Sequence, residues 1–249
     1  MICTDPRNPR AAQLFTDISA RVDLEALDPS VALVIGGDGW MLQCMREFGP
    51  GRVYLGVNAG RLGFLLNDPT NLDGLCAELR AGAYTVYDFP RLHMQATAAD
   101  GSVIEADAVN DIYLERASGQ TAHLTVTVDG QLAVRQLVCD GVIVATALGS
   151  TAYSYSAGGV PCHPRVPGMH VTPIAPHAPR LSPMLLPLDS VVEVEAMAPE
   201  RRPVRAVCDG VDSGWVARMR VVRSADDVRL AFLGEHAFTG TLIRKVLKA

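Results

Sequence analysis

One carboxylate stands inside a cluster of glycines, Gly36-Gly37-Asp38-Gly39. Glycine lets backbone N–H groups approach an anion closely, and a helix N-terminus behind the turn adds partial positive charge, so this loop is suited to holding phosphate. A carboxylate beside bound phosphate is repelled unless it handles a proton or a metal ion. Asp38 is therefore a candidate general base or magnesium ligand. The alternative is a tight turn in which Asp38 only caps the following helix.

The residues around this loop predict the elements that position it. Residues 31–35 are apolar and predict a buried strand of a parallel sheet, whereas residues 40–46 have helical character. A strand, a glycine turn and a helix place the turn at the carboxyl end of a sheet, where open α/β folds bind ligands. Residues 52–58 predict a second strand that runs into the glycines of residues 58–65, so both loops are expected on one edge of one sheet.

The N-terminal third of the chain predicts an α/β domain. Apolar residues at helical spacing predict helices over residues 11–27 and 69–80, the second closed by Gly82, while the segment before them leaves almost no room for a first strand. We therefore expect a Rossmann-like domain with a parallel sheet over residues 1–88.

The pattern changes from about Tyr84 to short alternating runs. Asp100-Gly101 and Asp129-Gly130 supply hairpin turns between such runs. This predicts a second, mostly antiparallel β domain over residues 89–231. Residues 232–249 follow it and are expected to pack back on the first domain.

A second polar loop follows a predicted strand at residues 142–145. Gly149-Ser-Thr-Ala-Tyr153 is dense in hydroxyls, and a run of prolines occupies residues 161–179. A long, proline-stiffened segment inside a compact domain indicates function. It could clasp a polar ligand with Tyr153 stacking nearby. The alternative is a rigid surface loop.

Two shorter patterns also carry polar side chains. Asn110-Asp111 precedes a predicted strand, and an amide beside a carboxylate could grip a sugar diol. Equally, such residues form turns at strand starts. The tetrapeptide Val-Cys-Asp-Gly occurs at residues 138–141 and 207–210, which is too short for a repeat, so the two aspartates are considered separately.

Composition bounds the partners and the compartment. A net charge of −5 argues against electrostatic binding of nucleic acid. Six scattered cysteines without a C-x-x-C pair fit reduced thiols in a cytoplasm better than a disulfide framework. No apolar run approaches the roughly 18 residues of a membrane span, and the N-terminus is neither basic nor apolar enough for a signal peptide.

Five motifs together resemble those of the NAD kinase family. They are Gly36–Gly39, Asn58–Leu65, Asn110-Asp111, the group Asp140-Gly141 with Gly149–Tyr153 and Ser156–Gly159, and Thr172–His177. A lone Gly-Gly-Asp-Gly motif is weak evidence for one family, since diacylglycerol kinases and phosphofructokinases use similar loops. Five motifs in order, from about Val31 to Asp212, form a specific match.

The resemblance implies a two-domain NAD kinase-like fold and ATP-dependent phosphorylation of the adenosine ribose 2′-hydroxyl of NAD, which gives NADP. It further implies a divalent cation such as Mg²⁺, whose ligands stay unassigned, and a homo-oligomer, a dimer or a tetramer. Whether ATP or polyphosphate is the better donor stays open.

The resemblance also implies roles for residues. Asp38 looks like the general base and an NAD contact, and Gly36, Gly37 and Gly39 look like the phosphate loop. The remaining NAD contacts that it implies are Asn110, Asp111, Asp140, Leu148, Thr151, Ala152, Tyr153, Ser154, Tyr155, Ser156 and Ala175, together with Gly39.

The chain departs from the family pattern at Trp40, Ala147 and Leu148, where members often have threonine, proline and threonine. Leu148 removes a hydroxyl that could contact a ligand. Two rivals remain: a lipid or sugar kinase with the same loop, and a non-catalytic NAD(P)-binding regulator. Asp38 argues against the regulator, because a binder gains little from a carboxylate near phosphate.

Overall fold

The computed structural model describes residues 1–61, 63–234 and 236–247. Leu62 of the second glycine segment, and Glu235, Lys248 and Ala249 of the C-terminal segment, lie outside the described residues. The chain divides into two compact units, one formed by Met1–Phe89 with Asp226–Ala249 and the other by Pro90–Ala225.

The first unit is built on one five-stranded sheet. Its strands are β1 (Ile2–Thr4), β2 (Val31–Gly36), β3 (Val53–Asn58), β4 (Tyr84–Phe89) and β17 (Val228–Leu233), in the order β1-β2-β3-β17-β4. The first four strands in that order run parallel, and only β4 is antiparallel to its neighbour. Every residue of β2 and β3 is buried, as continuous apolar runs in a parallel sheet require. The expected α/β class is confirmed.

Three helices accompany these strands: α1 (Pro9–Ser19), α2 (Asp38–Phe48) and α3 (Leu72–Ala81). α1 ends earlier than the predicted residue 27, because a separate 3₁₀ turn capped by the Asp23 side chain follows at Leu24–Ala26. Asn71 is the N-cap of α3, and its side-chain oxygen accepts the Gly74 N–H at 3.0 Å. It ends at Gly82, whose φ of 61° is the left-handed conformation that glycine adopts without strain.

The strand β17 departs from the expected division of the chain, whereas nearly all of β4 falls in the first domain as expected. Residues 85–88 have the alternation of the second region, yet they lie in β4 and pair with β17. Residues 226–231 were expected in the β-rich domain, but β17 lies in the first sheet between β3 and β4. Local periodicity specifies a strand and not its partner, so these pairings are not encoded in the pattern.

The segment after β17 also lies in the first unit. It forms α5 (Phe238–Leu242) and a π-helical turn at Ile243–Leu247. The Phe238 ring meets the rings of Tyr87, Phe89 and Phe232 edge-on, at centroid distances of 5.0, 5.8 and 5.2 Å. This aromatic cluster holds α5 against the sheet.

The second unit contains two six-stranded antiparallel sheets with one shared apolar core. One sheet has the order β12-β11-β10-β7-β14-β15 and the other β6-β5-β16-β13-β8-β9. The strands are β5 (Leu92–Thr97), β6 (Val103–Ala108), β7 (Asp111–Arg116), β8 (Ala122–Val128), β9 (Gln131–Cys139), β10 (Gly141–Thr146), β11 (Gly168–Ile174), β12 (Met184–Pro187), β13 (Val192–Ala196), β14 (Val204–Cys208), β15 (Val211–Val216) and β16 (Arg218–Arg223). The expected antiparallel β class is confirmed.

The proline-rich stretch is less irregular than its composition indicated. Residues 168–174 form β11, which pairs with β10 along its whole length. Pro173 has no backbone N–H to donate, and none is needed at this position. The pairing of β11 with β12 ends at Val171, opposite Met184, so no β12 carbonyl faces residue 173.

Among the described residues, no helix is long and apolar enough to cross a membrane. In the part of the chain that the structure describes, which includes all six cysteines, no disulfide bond is formed.

Candidate active site

The glycine loop of the first unit joins the buried β2 to the N-terminus of α2. Gly37 is the N-cap of α2, and Asp38 and Gly39 are its first two residues. A Cβ atom built on Gly37 or Gly39 would meet no atom of the described residues within 4 Å. The backbone of this turn is therefore open on the side where side chains would otherwise project, which leaves room for a ligand anion at a helix N-terminus.

The Asp38 carboxylate is held by the segment that follows β3. It accepts the Phe64 N–H at 2.9 and 3.1 Å and the Leu65 N–H at 3.0 Å. The alternative of a capping aspartate is wrong in this form, because Gly37 is the N-cap and the carboxylate points to another loop. The two glycine segments are thereby joined at the carboxyl edge of the sheet, as the sequence predicted.

Trp40 has a structural explanation. Its indole N–H donates to the Cys3 carbonyl at 3.1 Å, and the Arg7 guanidinium lies 5.8 Å from the ring centroid. A Cβ atom on Gly36 would come within 2.7 Å of the ring, so Gly36 is needed for the indole to pack there. The tryptophan thus ties β1 to the glycine loop.

In the second unit, Asn110 and Asp111 lie at the start of β7 and their backbone is fixed from two sides. The Asn110 carbonyl accepts the Thr146 N–H at 2.9 Å. On the other side the Asp209 carboxylate accepts the N–H groups of both residues. The Asn110 side chain is half-buried, and within the part of the chain that the structure describes its amide forms no hydrogen bond. That amide is available to a ligand.

Asp111 is placed differently from its neighbour. Asp111 is only 4% exposed, and the Tyr153 N–H, at the start of the short helix α4 (Tyr153–Ser156), faces its carboxylate and acts to lower its pKa. Burial, and then the negative charge of Asp209, raise the pKa of the Asp111 carboxyl to about 7. Asp111 therefore links β7 to the hydroxyl-rich loop.

That loop packs closely on the Asn110 backbone. Thr146 Oγ1 donates to the Val109 carbonyl at 2.7 Å and accepts the Gly149 N–H at 3.0 Å. A Cβ atom on Gly149 would overlap the Asn110 carbonyl, so only glycine fits at this position. These contacts make the loop rigid, so the alternative of a rigid surface loop stays open, and the binding role of the loop stays a prediction.

The side chains of the loop differ in exposure. Tyr153 is half-buried, and its ring meets the Tyr113 ring edge-on at 4.9 Å. Burial raises the pKa of Tyr153 and raises that of Tyr113 to about 12, so both phenols stay protonated at neutral pH. Ser154 is buried, with its hydroxyl 2.8 Å from Thr172 Oγ1.

The remaining predicted contacts are distributed around the same sheet. Leu148 is buried, Thr151 and Ala152 are half-buried, and Tyr155 and Ser156 are exposed. Asp140, between β9 and β10, forms an ion pair with Arg116 at 2.8 Å. Ala175 follows β11 with a φ of 44°, and it is exposed.

Two residues that organise this region were missed as functional candidates from the sequence. Thr146 carries no motif of its own, and Asp209 was noted only as part of a repeated tetrapeptide. Its position in an Asp-Gly turn was the available signal, but its contacts to residues about a hundred positions earlier are not readable from a local pattern. No group of three or more His, Cys, Asp or Glu side chains among the described residues could hold a metal ion.

Comparison with known proteins defines the class to which this fold and these loops belong. Residues 109–232 match the family model of the ATP-NAD kinase C-terminal domain. An NAD kinase from Hyphomonas neptunium is 36% identical over 223 residues, which cover 88% of this chain and 86% of that protein. An NAD kinase from Zymomonas mobilis is 35% identical over 96% of this chain and 93% of its own length.

Among solved structures, yeast NADH kinase complexed with NADH superposes with a TM-score of 0.79 at 25% identity. That match covers 96% of this chain and 76% of the yeast chain. The chain therefore belongs to the NAD kinase family, as its motifs predicted.

Proposed function

We propose that this chain transfers the γ-phosphoryl group of ATP to the 2′-hydroxyl of the adenosine ribose of NAD. The observation that carries the proposal is the open glycine turn at the N-terminus of α2, where the Asp38 carboxylate is held by the N–H groups of Phe64 and Leu65. Membership of the NAD kinase family supports the same reaction. A non-catalytic binder has no evident use for such a carboxylate beside phosphate.

In the proposed reaction a bond forms between the ribose O2′ and the γ-phosphorus, and the bond from that phosphorus to the bridging oxygen of ADP breaks. Asp38 accepts the proton that O2′ loses. The N–H groups around Gly37 and Gly39 hold the phosphate oxygens, together with the positive end of α2. The products are NADP and ADP, and the proton returns from Asp38 to solvent.

Magnesium enters this proposal with the nucleotide. Mg²⁺ is usually bound through one or two carboxylates and the substrate phosphates, and it keeps several waters. A single carboxylate beside an open phosphate turn fits that donor set, whereas a closed protein cage would need more ligands than the described residues gather. The ion neutralises phosphate charge when MgATP binds.

For the second unit we propose that NAD is bound by the side chains that the loop leaves accessible. The half-buried or exposed members are Asn110, Asp140, Thr151, Ala152, Tyr153, Tyr155, Ser156 and Ala175. Asp111, Leu148 and Ser154 are buried, and we assign them to the support of that surface. In this proposal the first compact unit carries phosphate chemistry and the second carries dinucleotide recognition.

We further propose that the protein works as a homo-oligomer, a dimer or a tetramer, in the cytoplasm. The strand β15 is at the edge of its sheet and exposes Trp215, which is 70% accessible, and Val211. Exposed apolar side chains on an open edge favour association. Light scattering that gives the mass of one chain across micromolar concentrations would contradict this part of the proposal.

The function is tested by incubating purified protein with NAD, MgCl₂ and either ATP or polyphosphate, and by detecting NADP with an NADP-specific dehydrogenase. NADP formation is expected with wild type and is expected to be lost in Asp38→Asn. The matched control is Asp73→Asn, because Asp73 is also an aspartate in the first turn of a helix of the same unit. Its carboxylate is exposed and pairs with Arg21, so the control should keep full activity. NAD binding without NADP formation by wild type would favour the regulator instead.

A further inference from the structure

The second Val-Cys-Asp-Gly tetrapeptide forms the turn between β14 and β15. Asp209 and Gly210 have φ angles of 46° and 76°, both in the left-handed region that two-residue hairpin turns require. The turn therefore has an ordinary structural explanation. The direction of its carboxylate does not follow from that explanation.

The Asp209 carboxylate accepts three successive backbone N–H groups of the segment that enters β7. Oδ2 accepts from Val109 at 2.8 Å, and Oδ1 accepts from Asn110 at 2.8 Å and from Asp111 at 3.1 Å. The Asp209 N–H also donates to the Asp111 carbonyl at 2.9 Å. Four hydrogen bonds thus connect Asp209 to this segment, and three of them involve the Asn110-Asp111 pair.

These bonds set the direction of the two side chains in that pair. A peptide plane whose N–H is fixed leaves little freedom to the Cα–Cβ bond, and the Asn110 carbonyl is fixed as well by Thr146. The directions of the Asn110 amide and the Asp111 carboxylate therefore depend on a third residue, Asp209. Charge-assisted bonds from N–H to carboxylate are about twice as strong as neutral ones.

Asp129 provides an internal comparison. Asp129-Gly130 is also a left-handed turn, between β8 and β9, with φ angles of 49° and 74°. Its carboxylate accepts the Val191 N–H at 2.7 Å and lies 3.1 Å from Ser190 Oγ. The two turns share sequence and backbone, but only that of Asp209 connects to Asn110 and Asp111.

From these contacts we propose that Asp209 is a positioning residue for NAD binding, which acts by holding the backbone of Asn110 and Asp111. The proposal deepens the function proposed above and rests on it. Loss of a purely structural turn residue should weaken the binding of NAD and ATP alike. Loss of Asp209 should weaken the binding of NAD and leave that of ATP nearly unchanged.

A pH measurement supplies a second criterion. The titratable groups that face the Asp111 carboxyl are Asp209 from the β14–β15 turn, Tyr153 from α4 and Tyr113 from its own strand. The charge of Asp209 contributes to the raised pKa of Asp111. Removing that charge should lower the pKa of Asp111, which loss of a structural contact alone would not do.

The test compares Asp209→Asn with Asp129→Asn. NAD affinity is measured by calorimetry without ATP, KM is measured for each substrate, and melting curves report folding. For Asp209→Asn we expect the NAD Kd and KM to rise about tenfold or more, with the KM for ATP within about twofold. The pH dependence of NAD affinity near 7 should move to lower pH. Asp129→Asn should lower the melting temperature and leave NAD affinity unchanged.

If Asp209→Asn does not fold, Asp209→Glu gives the same comparison of NAD with ATP, because it displaces both oxygens by one methylene. It keeps the charge, so the pH criterion applies to Asp209→Asn alone. A folded variant with wild-type NAD affinity, or with equal losses for NAD and ATP, would overturn the proposal. Wild type that binds NAD without forming NADP contradicts the kinase reaction, yet the Asp209 comparison can still be read from NAD affinity. Wild type that does not bind NAD overturns both.

Discussion

Glycine has opposite roles in two loops of this protein, the loop Gly36–Gly39 and the hydroxyl-rich loop from Gly149 to Gly159. At Gly37 and Gly39 the missing side chain leaves open space around the backbone. At Gly149 and Gly159 it permits close packing, against the Asn110 carbonyl in one case and the Ser154 hydroxyl in the other. Glycine in the first turn makes room for a ligand, whereas glycine in the second removes a clash within the protein.

In the function proposed above, this difference corresponds to different chemistry in the two units. The open turn needs few side chains, since backbone N–H groups and one carboxylate suffice for phosphate and a proton. The packed turn positions many side chains, as the proposed recognition of a dinucleotide by several specific polar groups requires. The predictions below test this separation, from the largest expected effect to the smallest.

Asp38→Asn should affect catalysis alone. The amide fills the same volume and can still accept from Leu65, but it does not take a proton, so kcat should fall by roughly 10² to 10⁴. Calorimetry on the same sample should show NAD affinity close to wild type. A folded variant with near wild-type kcat would remove the general-base role.

Tyr153→Ala should raise the KM for NAD more than the KM for ATP. The ring loses its edge-on contact with Tyr113 and any stacking on the dinucleotide, which is worth roughly 0.5 to 3 kcal/mol, or up to about a hundredfold in KM for NAD. Tyr153→Phe is the matched variant that keeps the ring, and it should retain most of the affinity. Equal KM values for NAD in all three proteins would place Tyr153 outside the site.

Alanine at Gly149 and at Gly39 should change stability in opposite directions. Gly149→Ala forces a methyl group into the Asn110 carbonyl and should cost about 1–3 kcal/mol of unfolding free energy. Gly39→Ala meets no described atom and lies in a helix, so it should stabilise by about 0.4–1 kcal/mol while the methyl group raises the KM for ATP. Urea unfolding of both variants gives the two signs directly. The same sign for both would contradict the distinction between the turns.

The last prediction concerns the pH dependence of stability, whose expected change overlaps in size with those of the glycine variants. The Asp111 carboxyl has a pKa of about 7 in the folded protein against an ordinary 3.8, so the folded state binds the proton more tightly between these values. Its contribution to stability therefore falls as pH rises from about 4 to 7 and is constant above. Asp111→Asn removes this slope, so the variant should gain on the order of 2 kcal/mol relative to wild type between pH 5 and pH 8. Parallel urea curves at the two pH values measure the difference.

The sequence predicted the local elements well and the long-range pairings poorly. The apolar runs of β2 and β3, the glycine end of α3 and the Asp129-Gly130 hairpin are encoded within a few residues each. The place of β17 between β3 and β4 depends on residues far apart in the chain, and a strand pattern does not name its partner.

The candidate site shows the same limit. Asp38, Asn110 and Tyr153 could be predicted as site residues because their motifs are contiguous. The carboxylate of Asp209 was not, because its contacts with Val109, Asn110 and Asp111 exist only after β7 and β14 have paired. Trp40 was noted as a departure, but its bond to the Cys3 carbonyl required the tertiary structure.

The position of β17 has a consequence for biosynthesis. The nascent chain leaves the first sheet at Phe89 and completes it only when β17 is translated, after the whole of residues 90–225. At typical elongation rates of roughly 5 to 20 residues per second, the ribosome needs on the order of ten seconds for that interval. During this interval β3 lacks β17, its neighbour in the finished sheet. The second unit, whose residues are contiguous, can fold in this time, so the part that emerges first from the ribosome is the last to be finished.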